Sequence, residues 1–145
     1  MFKHILIPTD GSPLAERAVD RGLRLAAAFH ARATLVMATE PFHVFSLRPI
    51  QVSMSEADYA ATMDQRGHDL LTGGTTLARE LGVPCEPVVV EDEHPYSAII
   101  DVATERDCDL IAMASHGRRG VSALVLGSET QKVLTHSKIP VLVFR

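Results

Sequence analysis

Short apolar runs recur along the chain at 2–8, 33–38, 87–90, 109–114 and 139–144, each of strand length and most of them continuous rather than alternating. Continuous runs suit strands covered on both faces, as in a parallel sheet between helices. Between the runs the period changes. Ala15, Ala18, Val19, Gly22, Leu23 and Ala26 recur at helical spacing and draw one narrow apolar stripe, whose small residues permit close packing on a sheet. Ser12 offers a hydroxyl to the free N–H groups at the start of that helix, and Pro13 suits its first position, where a missing N–H costs nothing. The pattern predicts strands and helices in strict alternation. Right-handed crossovers between parallel strands then leave an open, doubly wound, five-stranded α/β sheet with helices on both faces.

The later helices are less uniform. Residues 55–81 have helical character but contain Gly67, Gly73 and Gly74, each costing roughly 0.5–1 kcal/mol against alanine in a helix interior, so a kink or an early break is expected there. Residues 96–106 predict a helix that buries Ile99, Ile100 and Val102 or Ala103. The last helix is expected to open at Ser128, which stands in the S-x-x-Q spacing of a capping box with Gln131 and puts Val133 and Leu134 on its apolar side. The connection at 39–53, with Pro41, Phe42, Phe45 and Pro49, is long, and reads either as a lid over the strand ends or as a variable loop.

Composition narrows the class. With 145 residues, 46% of them hydrophobic and 22% charged, one globular domain over 1–145 is expected. Cys85 and Cys108 form no C-x-x-C pair, which favours a reducing compartment and makes the cytoplasm the expected location. No apolar run approaches the roughly 18 residues of a membrane span, so no membrane partner is expected. A formal net charge of −4 argues against a nucleic-acid partner held on a broad basic face. Arg118-Arg119 is the local exception, read as solvated surface charge or as an anion contact. The acidic run Glu91-Asp92-Glu93 reads first as solvated surface, with a metal role as the less favoured alternative.

In an open parallel sheet, ligands sit at the carboxyl ends of the strands where strand order reverses. Two loops are expected there: Pro8-Thr9-Asp10-Gly11-Ser12 after the first strand, and Ser115-His116-Gly117-Arg118-Arg119-Gly120 after the fourth, running on to Gly127-Ser128. Glycines let backbone approach an anion closely, and the helix opening at Ser128 aims free N–H groups and the positive end of its dipole at the same space. A phosphate cradle follows. His116 reads either as a proton or hydrogen-bond donor to a phosphate or as a residue that orders its turn. Histidines 4, 30, 43, 68, 94 and 136 show no paired metal-ligand spacing. The chain has no G-x-S-x-G elbow, no G-x-x-x-x-G-K-[ST] loop and no G-x-G-x-x-G, and no nucleophile with a partnered base, so dedicated catalysis is unsupported.

The spacing sharpens this picture. Met113-Ala114-Ser115-His116-Gly117, followed after nine residues by Gly127-Ser128, resembles the G-x-x-G-x9-G-[ST] signature of the universal stress protein family. The opening Lys3-His4-Ile5-Leu6-Ile7-Pro8-Thr9-Asp10-Gly11-Ser12, Glu40-Pro41, His94-Pro95 and the closing Ile139-Pro140-Val141-Leu142-Val143 extend the resemblance over the whole chain. It implies a Rossmann-like fold and a stress-response regulator that binds ATP, or AMP or ADP. It further implies that Pro8, Thr9 and Asp10 lie against ribose and phosphates, that Met37 and Met113 line the adenine pocket, and that backbone at Ala114, Gly117, Gly127, Ser128 and Glu129 holds ribose and phosphate. Asp10 would approach a phosphate-bound Mg²⁺, a hard cation suited to oxygen ligands. The resemblance also implies a homodimer paired through the C-terminal strand, whose apolar edge needs a cover. Ala114 stands where the signature has its first glycine. Glu129 would repel phosphates if turned inward, with Arg118 and Arg119 to offset it. Two rival readings are a nucleotide-free dimeric interaction module and an enzyme of adenylyl or phosphoryl transfer.

Overall fold

The computed structural model describes residues 1–43, 47–117 and 125–145. Phe45 and the Arg118-Arg119 pair therefore lie outside the described residues. The chain runs β1 (His4–Pro8), α1 (Pro13–Phe29), β2 (Arg32–Thr39), α2 (Pro49–Val52), α3 (Glu56–Glu80), β3 (Cys85–Glu91), α4 (Pro95–Glu105), β4 (Leu110–Ala114), α5 (Ser128–His136) and β5 (Val141–Phe144). The five strands are all parallel in the order β3-β2-β1-β4-β5. The chain winds outward from β1 in one direction to β3 and then crosses back to β4. The doubly wound sheet expected from the apolar runs is thus the observed one, and its reversal point lies between β1 and β4.

Strand parity sorts the core into two layers. Ile5, Ile7, Leu35, Met37, Leu110 and Ala112 pack with Val19, Leu23 and Ala26 of α1 and Leu71 and Ala78 of α3. Leu6, Val36, Ile111 and Met113 pack on the other face with Ile99, Val102 and Ala103 of α4 and Val133 of α5. In α1 the buried residues are the six of the predicted stripe, Ala15, Ala18, Val19, Gly22, Leu23 and Ala26, and Ser12 Oγ accepts the Ala15 N–H at 3.3 Å. Among the described residues no helix is long and apolar enough to cross a membrane.

Three expectations are corrected. The first concerns α3, which runs unbroken from Glu56 to Glu80 through all its glycines. Gly67 and Gly74 face the sheet: a β-carbon would stand 2.7 Å from the Val89 methyls at Gly67 and 2.5 Å from Leu35 Cδ1 at Gly74. These glycines bring the helix axis nearer the strands, and the packing gained offsets their intrinsic cost. In α4, Ala98 is buried beside Ile99, Val102 and Ala103, while Ile100 is only half-buried.

The third correction is at α5, where the cap is Gly127 rather than Ser128 and makes no side-chain bond. Gly127 N–H is drawn to Ser115 O at 2.8 Å, and Gly127 O accepts Gln131 N–H at 2.9 Å. The helix opens at Ser128 as expected, but with Gly127 as its cap the Ser128–Gln131 spacing does not span cap and third position. Gln131 Nε2 instead donates to Leu126 O. Leu134, expected on the apolar side, is 43% exposed, whereas Val133 is fully buried.

Candidate functional site

The turn after β1 is fixed by its own side chains. Thr9 N–H continues the sheet to Val36 O at 2.9 Å. The Thr9 hydroxyl donates to Glu16 Oε1 at 2.7 Å and accepts Gly11 N–H at 3.1 Å. Asp10 Oδ1 accepts Ser12 N–H at 2.9 Å, and Gly11 has φ 75°, a left-handed conformation that glycine adopts without strain. Asp10 is thereby held with Oδ2 toward the second loop.

That loop leaves β4 at Ala114, which is buried against Ala15 and Ala18. The Ala114 carbonyl accepts the Thr130 hydroxyl at 3.1 Å, and Ser115 N–H donates to Phe144 O at 2.8 Å. Gly117 lies against Asp10 so closely that a β-carbon there would collide with the Asp10 carboxylate. At Gly127 a β-carbon would stand 3.0 Å from Cα and Cβ of His116. Both glycines thus answer to close approach. His116 Nδ1 lies 3.1 Å from Ser115 Oγ, a contact within its own turn.

Between these anchors sits the start of α5. An α-helix leaves its first N–H groups without intrahelical partners, here those of Ser128, Glu129 and Thr130, at the positive end of the helix dipole. The Glu129 carboxylate turns toward α4: Oε2 accepts Tyr96 N–H at 2.9 Å and Oε1 accepts Lys132 Nζ at 3.0 Å. Pro8, Thr9, Asp10, Gly117, Gly127, Ser128 and Glu129 are therefore brought to one end of the sheet. Met37 and Met113 belong to the cores on opposite faces of the sheet. Arg118 falls outside the described residues.

The neighbouring connection is tied to α3. Gln51, 3% exposed, accepts His43 N–H at 2.9 Å and donates to Tyr59 Oη at 3.2 Å, and Tyr59 Oη donates to Glu40 O at 3.0 Å. A cavity of 240 Å³, lined by Thr39, Ala60, Asp64, Val89 and Glu91, opens on the β2–β3 side. Among the described residues no three His, Cys, Asp or Glu side chains group in a way that could hold a metal ion. Glu16, Thr130 and Tyr96 shape the site without having been singled out in the sequence. Glu16 had a faint signal as an acid in the first turn of α1. The other two act through partners on different elements.

The comparisons with known proteins agree with this architecture. The universal stress protein family matches residues 1–145. A universal stress protein of Thermus aquaticus is 32% identical over 145 residues, covering 100% of both chains. One from Methanocaldococcus jannaschii is 29% identical over 147 residues, covering 100% of this chain and 83% of that one. Among solved structures, a second Methanocaldococcus jannaschii protein, studied for assignment of its biochemical function from structure, superposes with TM-score 0.80 at 27% identity, covering 99% of this chain and 95% of that one. A universal stress protein in complex with cAMP superposes with TM-score 0.73 at 27% identity, covering 99% and 97%.

Proposed function

Because the chain belongs to the universal stress protein family, matched over residues 1–145, we propose that it is a stress-response regulator that binds an adenine nucleotide where β1 and β4 end. The observation that carries this reading is the convergence of two loops: Asp10 lies against Gly117, and the start of α5 opens beside them. Phosphates rest on the first N–H groups of α5 and on backbone at Gly117, with Gly127, whose own N–H is bonded to Ser115 O, allowing close approach, and with ribose along Pro8-Thr9-Asp10. The cAMP complex of a 27% identical relative supports an adenylate as the ligand class. ATP is the form proposed, with AMP and ADP as the alternatives. Mg²⁺ fits if phosphate oxygens supply most of its ligands and Asp10 supplies a carboxylate, since this ion usually keeps few protein ligands. The nucleotide acts as a signal by binding one conformation better than another.

The same reading places the protein in the cytoplasm as one domain, assembled as a homodimer through β5. That strand is a sheet edge with β4 on one side, and Leu142 is 37% exposed on it. The rival, a nucleotide-free interaction module, draws on the same edge and on the methyl group of Ala114 at the first signature position. Calorimetric titration of purified protein with Mg-ATP, AMP and ADP tests the site alongside Gly127→Asp. The expected result is binding by the unaltered chain and a loss of at least about tenfold in the variant. Equal affinity in both would sink the proposed location, and no binding by the unaltered chain would favour the module.

A further inference from the structure

The start of α4 has one donor that its own helix cannot satisfy. Pro95 at the first position has no N–H, and the cap residue His94 makes no side-chain bond. Ser97 and Ala98 both donate to His94 O, at 2.9 and 3.2 Å. Tyr96 N–H is left over, and Glu129 of α5 takes it at 2.9 Å. Glu129 therefore caps a helix that is not its own. The same face of α5 continues the contact. Lys132 holds Glu129 Oε1 at 3.0 Å and stands 5.3 Å from the centre of the Tyr96 ring, while the His136 ring lies 5.5 Å from it. Residues 129, 132 and 136 share one side of the helix, so α5 is joined to α4 by a clasp centred on Tyr96.

We propose that Glu129 is a positioning residue for the phosphate-binding end of α5. Its bond to Tyr96 fixes the direction in which the N–H groups of Ser128, Glu129 and Thr130 point, and it keeps a carboxylate out of the space meant for phosphate. The inference rests on the nucleotide reading above. An acid at this position would otherwise oppose the ligand by like charge. The capping bond turns it outward, where it pairs with a donor that would otherwise go unpaired. Removing the side chain leaves the site with less negative charge, yet frees α5 to reorient. The proposal is that the second effect outweighs the first, and only for ligands that carry phosphate.

The test compares AMP with adenosine. Calorimetric titrations of both ligands are run on the unaltered protein, on Glu129→Ala and on Glu129→Gln, with circular dichroism confirming the fold. The expected result is an AMP affinity reduced about tenfold in Glu129→Ala, with adenosine affinity unchanged. Glu129→Gln, which keeps an oxygen acceptor for Tyr96 N–H, restores most of the AMP affinity. Amide exchange at Tyr96 is expected to quicken in Glu129→Ala and to return toward the unaltered rate in Glu129→Gln. If AMP binds Glu129→Ala as tightly as the unaltered protein, or if AMP and adenosine weaken together, the positioning role is overturned alone. An unaltered protein that binds no AMP overturns the nucleotide reading and this inference with it.

Discussion

The carboxylate of Asp10 occupies the space in which a side chain on Gly117 would stand, so the loops after β1 and β4 meet at a point where only glycine fits. Asp10 cannot swing aside cheaply, since Oδ1 holds Ser12 N–H at the start of α1.

Gly117→Ala is therefore expected to displace Asp10 and lower nucleotide affinity by about tenfold, with an unfolding midpoint shifted far less than the binding constant. Titration with Mg-ATP and a urea unfolding curve, run on the same preparation, separate the two effects. Unchanged affinity would mean that the contact is incidental to binding.

The three glycines of α3 are expected to respond with opposite signs. Gly67→Ala and Gly74→Ala push a methyl group into Val89 and Leu35 and should cost about 1–3 kcal/mol by overpacking. Gly73→Ala meets nothing within 4 Å and should stabilise by roughly 0.5–1 kcal/mol through helix propensity. Equilibrium urea denaturation of the three variants gives the comparison directly.

His4 makes the fold sensitive to acid. The residue is 5% exposed, with ring Nδ1 at 2.9 Å from Arg106 O and Nε2 at 2.8 Å from Thr34 Oγ1. A carbonyl only accepts, so Nδ1 carries the proton and Nε2 receives the Thr34 hydroxyl. Burial above all, and then the Arg32 charge, lower its pKa below the ordinary histidine value. The unfolded chain thus takes up a proton before the folded one does. The stabilising contribution is complete above the ordinary histidine range and is lost as pH falls through the depressed value. Denaturation at pH 7.5 and at mildly acidic pH should show a smaller loss in His4→Phe than in the unaltered chain.

Cys85 and Cys108 are expected to be slow nucleophiles. Burial pushes both thiols up to about 11, so almost no thiolate exists at neutral pH. Labelling with a thiol reagent should be slow for the folded protein and should accelerate on addition of denaturant. Rapid native labelling at either cysteine would contradict the burial.

The layers of this fold were legible wherever a residue's environment follows from its neighbours along the chain. The stripe of α1 was read whole because one helix face meets one sheet face, and the period alone identifies it. The glycines of α3 were misjudged because intrinsic propensity gives their cost, whereas their benefit appears only when Val89 and Leu35 arrive from other strands. The start of α5 at Ser128 was legible, but its cap was not: Gly127 takes that role, pinned to Ser115 by a bond that local spacing does not encode. The direction of Glu129 depends on an amide of α4, and the separation of Met37 from Met113 depends on which face each strand presents.

The central pairing of β1 with β4 joins Ile5 to Leu110 and Leu6 to Ile111. During synthesis the opening strand must wait for most of the chain before this neighbour exists. β1, β2 and β3 can associate earlier, but the pairing of β1 with β4 closes only after a long excursion whose entropy must first be spent. Completion of the proposed site is consequently a late event in folding. A ribosome-bound chain lacking its final quarter would have one wing of the sheet and none of the α5 end on which the proposed site depends.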